Sequence, residues 1–321
     1  MRYRLLFIVT LLSASCGDAV ASGAIVIHNE RQQVERNVVA DPRVVLSVCV
    51  VSGSLTIQSW DRLEVHVRAS DGPQIELRRG DVSKSESATE LKLMTQDPRS
   101  SRGGSCVVYG NLELNVPREA VLRLQTSEAD IKVTSVARVT ARSQSGRVTI
   151  AGAKDRVDVS TISGDISIKE SSGPIRVHSV SGSVEARSVG PAAAEDVFEA
   201  STVSGDFTLA GIRHLRMRTN TVEGSISYSG PLVKGGHYSF QSISGGLNLS
   251  LPPDASFRVS GTLSRGSDFI SDFPLPTSDT PMPAGVSRSV AGIRRIEGVI
   301  GSGDAIIVIS SFSGSVKLRR Q

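Results

Sequence analysis

The chain is poor in the residues that build large enzyme cores and metal sites. Aromatics make up 4% of its 321 residues, with a single Trp, and there are 3 Cys and 5 His. The His are dispersed, at His28, His66, His178, His214 and His237. Net charge is also scarce, at +4, and the slight excess of Arg is spread along the chain. Without a basic stripe or a recognisable motif, nucleic acid is excluded as a partner. No mature segment is long and apolar enough to span a bilayer. Helix periodicity with caps is missing as well; "SKSESATELKLMTQDPRS" alternates at Leu91 and Leu93 and reads as a strand with a polar loop.

The one apolar run near the start, Leu5 to Leu12, follows Arg2 and Arg4 and leads to Ala19-Val20-Ala21. That order is a secretory signal, residues 1–21, with cleavage after Ala21. A lipoprotein at Cys16 is the competing reading, although Ser13 stands where a lipobox has Leu. Either way the chain is exported, to the periplasm or the cell surface. The two remaining cysteines, Cys49 and Cys106, lie in β-rich runs, and an even pair in an oxidising compartment reads as one disulfide. The alternative is two unpaired thiols facing the core.

What the chain has in abundance is one turn. It occurs as "VVSGSLTI" (Gly53), "SQSGRVTI" (Gly146), "TISGDISI" (Gly164), "SVSGSVEA" (Gly182), "TVSGDFTL" (Gly205), "TVEGSISY" (Gly224), "SISGGLNL" (Gly245) and "SFSGSVKL" (Gly314), with a degenerate copy at Ala129. Between Gly146 and Gly245 the period is roughly 18–23 residues, the mark of a stacked repeat. Around each turn apolar residues alternate with polar ones, as Val157 and Val159 do before Gly164 and Ile166 and Ile168 after it. Two short strands are marginal alone but stable when stacked, and the Gly supplies a positive φ at each corner. The reading is all-β: a single-stack β-solenoid of the β-helix or β-roll kind. An N-terminal β-rich cap that starts the solenoid takes residues 22–117, and the repeat solenoid takes 118–321. "VGPAAAEDVFE" bulges as a loop, and the Pro-rich loop 271–285 interrupts the array before the last coil.

Three further stretches carry a resemblance: "IQSWDRLEVHVRAS", the lead-in "LELNVPREAVLRLQT" (echoed by "GLNLSLPPDASFRVS"), and the closing "EGVIGSGDAIIVISSFSGSVKL". Together with the Ser-Gly-Asp turns they resemble the bacterial "putative adhesin" family, a domain of unknown function, over roughly residues 45 to 321. The resemblance implies a β-solenoid fold and brings no catalytic, cofactor or metal residues.

Asp130, Asp165 and Asp206 follow the turn and are the candidates for polysaccharide cleavage, yet intervening coils place Arg147, Ser183 and Ser225 between them. Asp165 and Asp206 then stand two coils apart, about 10 Å, wide for a retaining pair. Asp is also a favoured turn residue. No Ser has a nucleophile-elbow context, no Gly cluster has a phosphate-cradle setting, and Trp60 reads as a plug of the core end or a sugar platform. His178 falls on an outward position. The expected function is therefore a non-catalytic, exported, adhesin-like solenoid without cofactors that binds a surface polymer or an envelope protein. A periplasmic signalling or homeostasis partner is the alternative, and a polysaccharide-cleaving β-helix comes after it.

Overall fold

Alternation over four to eight residues gives one dry and one wet face to each strand. The computed structural model, which describes residues 34–70, 74–81, 86–96, 109–264, 267–275 and 293–321, shows what those faces do. The described residues contain no helix; 23 strands join in one mostly parallel sheet, a solenoid-like all-β fold. A coil is two strands meeting at a Ser-Gly corner. Arg156–Ser163 turns at Gly164 into Ile166–Lys169, and the next coil repeats the path one strand spacing away. Val157 and Thr161 pair with Ile175 and Ser179, and Ile166 with Val184. The two parallel ladders enclose a narrow core of stacked Val, Ile and Leu, with Phe198, Phe207, Tyr228, Tyr238 and Phe240 widening it further along.

The corner glycines form a column. From Gly146 to Gly314 their φ values lie between +105° and +152°. A Cβ on Gly205 would collide with the carbonyl of Gly182, and one on Gly314 with that of Gly245, so each coil's backbone rests on the glycine before it. Gly53 meets Gly110 in the same manner. Ala129 interrupts the column where Val121–Thr134 runs through as one strand.

Three residues before each corner Gly from Gly146 to Gly314 the inward position is polar. Ser143, Thr161, Ser179, Thr202, Thr221, Ser242 and Ser311 are all buried. Thr126 donates to Ser143 at 2.9 Å and Thr161 to Ser179 at 3.2 Å, but the hydroxyls of Thr202, Thr221 and Ser311 have no partner. An unpaired buried hydroxyl costs about 1–3 kcal/mol in desolvation. Thr202→Val keeps the shape and removes that group, so it is expected to stabilise the fold by about 1 kcal/mol in urea unfolding. Destabilisation of similar size would show that the hydroxyl is used.

The stack does not follow chain order at its ends. The C-terminal coil, Ala305–Ser313 with Val316–Arg320, lies between His237–Ser244 with Leu247–Leu251 and Phe257–Ser264 with Phe269–Ser271. Ile293–Ile300 then covers Phe257–Ser264 antiparallel. The last repeat in sequence is therefore the penultimate coil in space. At the other end Val34–Trp60 pairs with Val121–Thr134 on one side and with Ala88–Gln96 and Tyr109–Pro117 on the other. The two lead-ins share a turn: Ala120 N–H donates to Pro117 O and Ala255 N–H to Pro252 O, both at 3.0 Å. Residues 1–21 with Cys16, Cys106, and residues 276–285 of the Pro-rich loop lie outside the described residues.

Candidate functional site

The acids expected to test an enzyme reading are used by the fold. Asp130 Oδ1 accepts the Arg147 N–H at 2.7 Å, Asp165 Oδ1 the Ser183 N–H at 3.0 Å, and Asp206 Oδ1 the Ser225 N–H at 2.7 Å. Each carboxylate ties its corner to the next coil. Side chains on the outer face of the shorter strands line a shallow depression of about 430 Å³. Register builds it: Thr149, Ser167, Glu185 and Thr208 follow one another across four coils, with Lys169 beside Arg187. Arg147, Lys169 and Arg187 face it together with Asp165 and Glu185. Glu185 is bound by Arg187, accepts from Ser167 at 3.1 Å, and lies 3.8 Å from Lys169 Nζ. The Arg187 hydrogen bond, helped by Ser167 and Lys169, lowers its pKa against a smaller opposing effect of burial. A general acid for glycoside cleavage needs the opposite shift, a carboxyl that keeps its proton near neutrality. The depression offers stacked hydroxyls and three cations against two carboxylates, which is recognition chemistry.

A second feature runs along the corner. Ile162, Val180, Val203, Val222, Ile243 and Phe312 each sit two residues before a corner Gly, and all are exposed, Phe312 by 70%. Ser179↔Thr202 and Ser242↔Ser311 pair beside them, so they stand in line across six consecutive coils. They form an apolar ridge that sequence reading passed over.

The remaining candidates are placed as follows. Cys49 is half-buried and outward on the strand, between buried Val48 and Val50, instead of facing the core. His178 is exposed, with Nδ1 2.9 Å from Ser201 Oγ. Trp60 is half-buried; its Nε1–H donates to Glu64 O at 2.9 Å, Arg62 lies 5.0 Å over the ring, and His66 stacks at 5.9 Å. It neither plugs the core nor stands as a bare sugar platform. No group of three or more His, Cys, Asp or Glu among the described residues could hold a metal ion.

His214 is fully buried after Phe207–Ile212, and its Nε2–H donates to Gly173 O at 2.8 Å while Nδ1 has no partner. Burial lowers its pKa from the ordinary 6.5, against smaller pulls from the Gly173 carbonyl and the Asp196 carboxylate. The unfolded chain thus binds a proton that the folded chain refuses, so this contribution to stability is full above about pH 6.5 and is lost as pH falls below it. The slope is at most about 1.4 kcal/mol per pH unit. His214→Gln should flatten the change in Tm between pH 7.5 and 5; an unchanged profile would assign the pH dependence elsewhere.

With this geometry in place, the model of the Toastrack DUF4097 family matches residues 44–319. Among solved structures, a "putative adhesin" of Parabacteroides distasonis ATCC 8503 is similar at 11% identity and a TM-score of 0.39, over 90% of this chain and 97% of that one. A "putative adhesin" of Parabacteroides merdae ATCC 43184 gives 11% and 0.31, over 90% and 96%. A "putative cell adhesion protein" of Clostridium sporogenes ATCC 15579 gives 10% and 0.26, over 90% and 100%. Likeness at this level does not carry a function from one chain to another. No curated protein matches.

Proposed function

We propose that this chain, which belongs to the Toastrack DUF4097 family, is a non-catalytic, adhesin-like module that holds an anionic polymer of the cell exterior. The observation that carries the reading is the depression where three cations, Arg147, Lys169 and Arg187, outnumber the carboxylates Asp165 and Glu185 over a column of hydroxyls. A linear polymer lying along the stack meets a new row of such groups at each strand spacing, about 4.8 Å, so weak contacts add. The reading includes export with removal of residues 1–21, residence in the periplasm or at the surface, and an oxidised Cys49–Cys106 pair. The cap of residues 22–117 begins the stack and the repeats of 118–321 carry the binding face.

The test is binding of the chain from Ser22 onward to immobilised anionic and neutral bacterial polysaccharides across a salt series. Saturable binding to the anionic class that weakens with salt supports the reading. Combined replacement of Arg147, Lys169 and Arg187 by Ser should weaken it at least tenfold without loss of folding. Equal binding to neutral polymers, or none to either class, would refute it. The apolar ridge supports a second reading, a protein partner in the envelope.

A further inference from the structure

We infer that the outer face of the longer strands carries a membrane-docking surface, where Arg123, Arg138, Arg142 and Arg156 form a flat cationic array that fits the headgroups of an anionic lipid bilayer. Register builds the array on three consecutive coils. Arg123 stands opposite Thr140, Arg138 and Arg142 lie two residues to either side of Thr140, and Arg156 stands opposite Arg138. All four side chains are exposed. Among the described residues none of the four has an ion-pair or side-chain hydrogen-bond partner.

The same face shows how the fold treats charge when charge only supports the ladder. Asp158, Arg176, Glu199 and Arg218 follow one another in register with alternating sign, and Arg176 lies 3.7 Å from Glu199. Opposite charges facing each other across strands stabilise a sheet, and like charges facing each other destabilise it. Arg138 against Arg156 is a like-charged pair of the second kind, and Arg123 and Arg142 add to the repulsion. Asp158 is the one carboxylate at a register position inside the array. At its margin Glu119 is taken by Arg43 at 3.3 Å, and Asp155 is offset by its exposed neighbour Lys154. The positive excess therefore finds its counter-charge outside the chain.

Planarity selects the occupant. Facing positions are about 4.8 Å apart across the ladder, while Arg138 and Arg142 are about 13 Å apart along their strand. The cations are thus spread in two dimensions over a sheet face. A linear polymer along the stack meets Arg138 and Arg156 alone, and one along the strand meets Arg138 and Arg142 alone. A plane of separate anionic headgroups meets all four at once, and guanidinium is bidentate toward phosphate. Each cation near an anionic leaflet strengthens partition about fivefold, so four give a reversible, salt-sensitive attachment. The inference does not depend on the polymer-binding reading, because the cationic depression lies on the other ladder.

Co-sedimentation of the chain from Ser22 onward with phosphatidylcholine vesicles, with and without about one lipid in three replaced by phosphatidylglycerol, tests it. The expected result is binding to the anionic vesicles alone, lost as NaCl rises from about 0.05 to about 0.5 M. Replacement of Arg123, Arg138, Arg142 and Arg156 together by Gln should lower the partition at least about a hundredfold, and Asp158→Asn should raise it about fivefold. The quadruple Gln variant should unfold no more readily than the parent, because the Arg138–Arg156 repulsion goes with the charge, and it should still bind anionic polysaccharide. The Arg147, Lys169 and Arg187 to Ser variant should bind vesicles as the parent does. No binding to the anionic vesicles, equal binding to the neutral ones, or binding undiminished in the quadruple Gln variant would overturn the inference. Capture of a soluble polyanion through these four arginines without capture of vesicles would also overturn it, in favour of a polymer.

Discussion

Gly205→Ala is expected to cost at least about 3 kcal/mol, and to leave little folded protein at 37 °C, although it adds one methyl group. Gly205 has φ +152°, and the added Cβ would stand 2.8 Å from the carbonyl carbon of Gly182 and closer still to its oxygen. Both atoms belong to the backbone of the coil beneath, so nothing can rotate away. Relief requires separating two coils, which breaks the hydrogen bonds of both ladders at once. Gly235→Ala is the control. It also has a positive φ, +77°, but nothing lies within 4 Å of the added atom. It should cost only about 1 kcal/mol, the conformational penalty alone. Chemical unfolding of the two variants separates strain from collision, and equal losses would show that the coils are not in contact at the column.

Phe240→Ala should cost about 3–5 kcal/mol, because it opens a void where the stack cannot collapse. Phe240 is 1% exposed, and Tyr228 meets it edge-on at 5.6 Å. Tyr228 is itself fixed by its hydroxyl, which donates to Pro231 O at 2.9 Å. Burial, with a smaller effect of Tyr238, pushes its pKa up, so it stays protonated and keeps that bond. Coils above and below are locked in register, so neighbours shift little into the gap. Phe312→Ala is the matched comparison, with the same atoms removed from a side chain 70% exposed. It should cost within about 0.5 kcal/mol. Similar losses at the two sites would contradict the assignment of Phe240 to the core and Phe312 to the ridge.

The period and the corners were legible because a corner that demands positive φ writes itself into the sequence as Gly. The all-β class followed from alternation such as Val157 and Val159. The two columns beside each corner were not read, although the letters were there. Carrying the same period-two phase forward from Val159 places Thr161 inside and Ile162 outside, which reverses what hydropathy suggests. Thr is a common strand and turn residue, and Ile is assumed buried, so the reversal hid the hydroxyl column and the ridge together. The depression was legible only in part: the repeat set Arg147, Asp165 and Ser183 along one edge, but nothing marked that Lys169 and Arg187, on different coils, join them through register. Parallel pairing leaves no local mark either, so nothing announced that the coil at Gly314 stacks directly on that at Gly245.

The most direct measurement is size-exclusion chromatography with light scattering of the protein mixed with an anionic bacterial polysaccharide, sampled over a day. A surface that binds and does not react predicts that the protein co-elutes with the polymer in low salt, leaves it in high salt, and does not change its molar mass. A polymer that shortens with time would contradict the account, and so would a protein that elutes alone at every salt concentration.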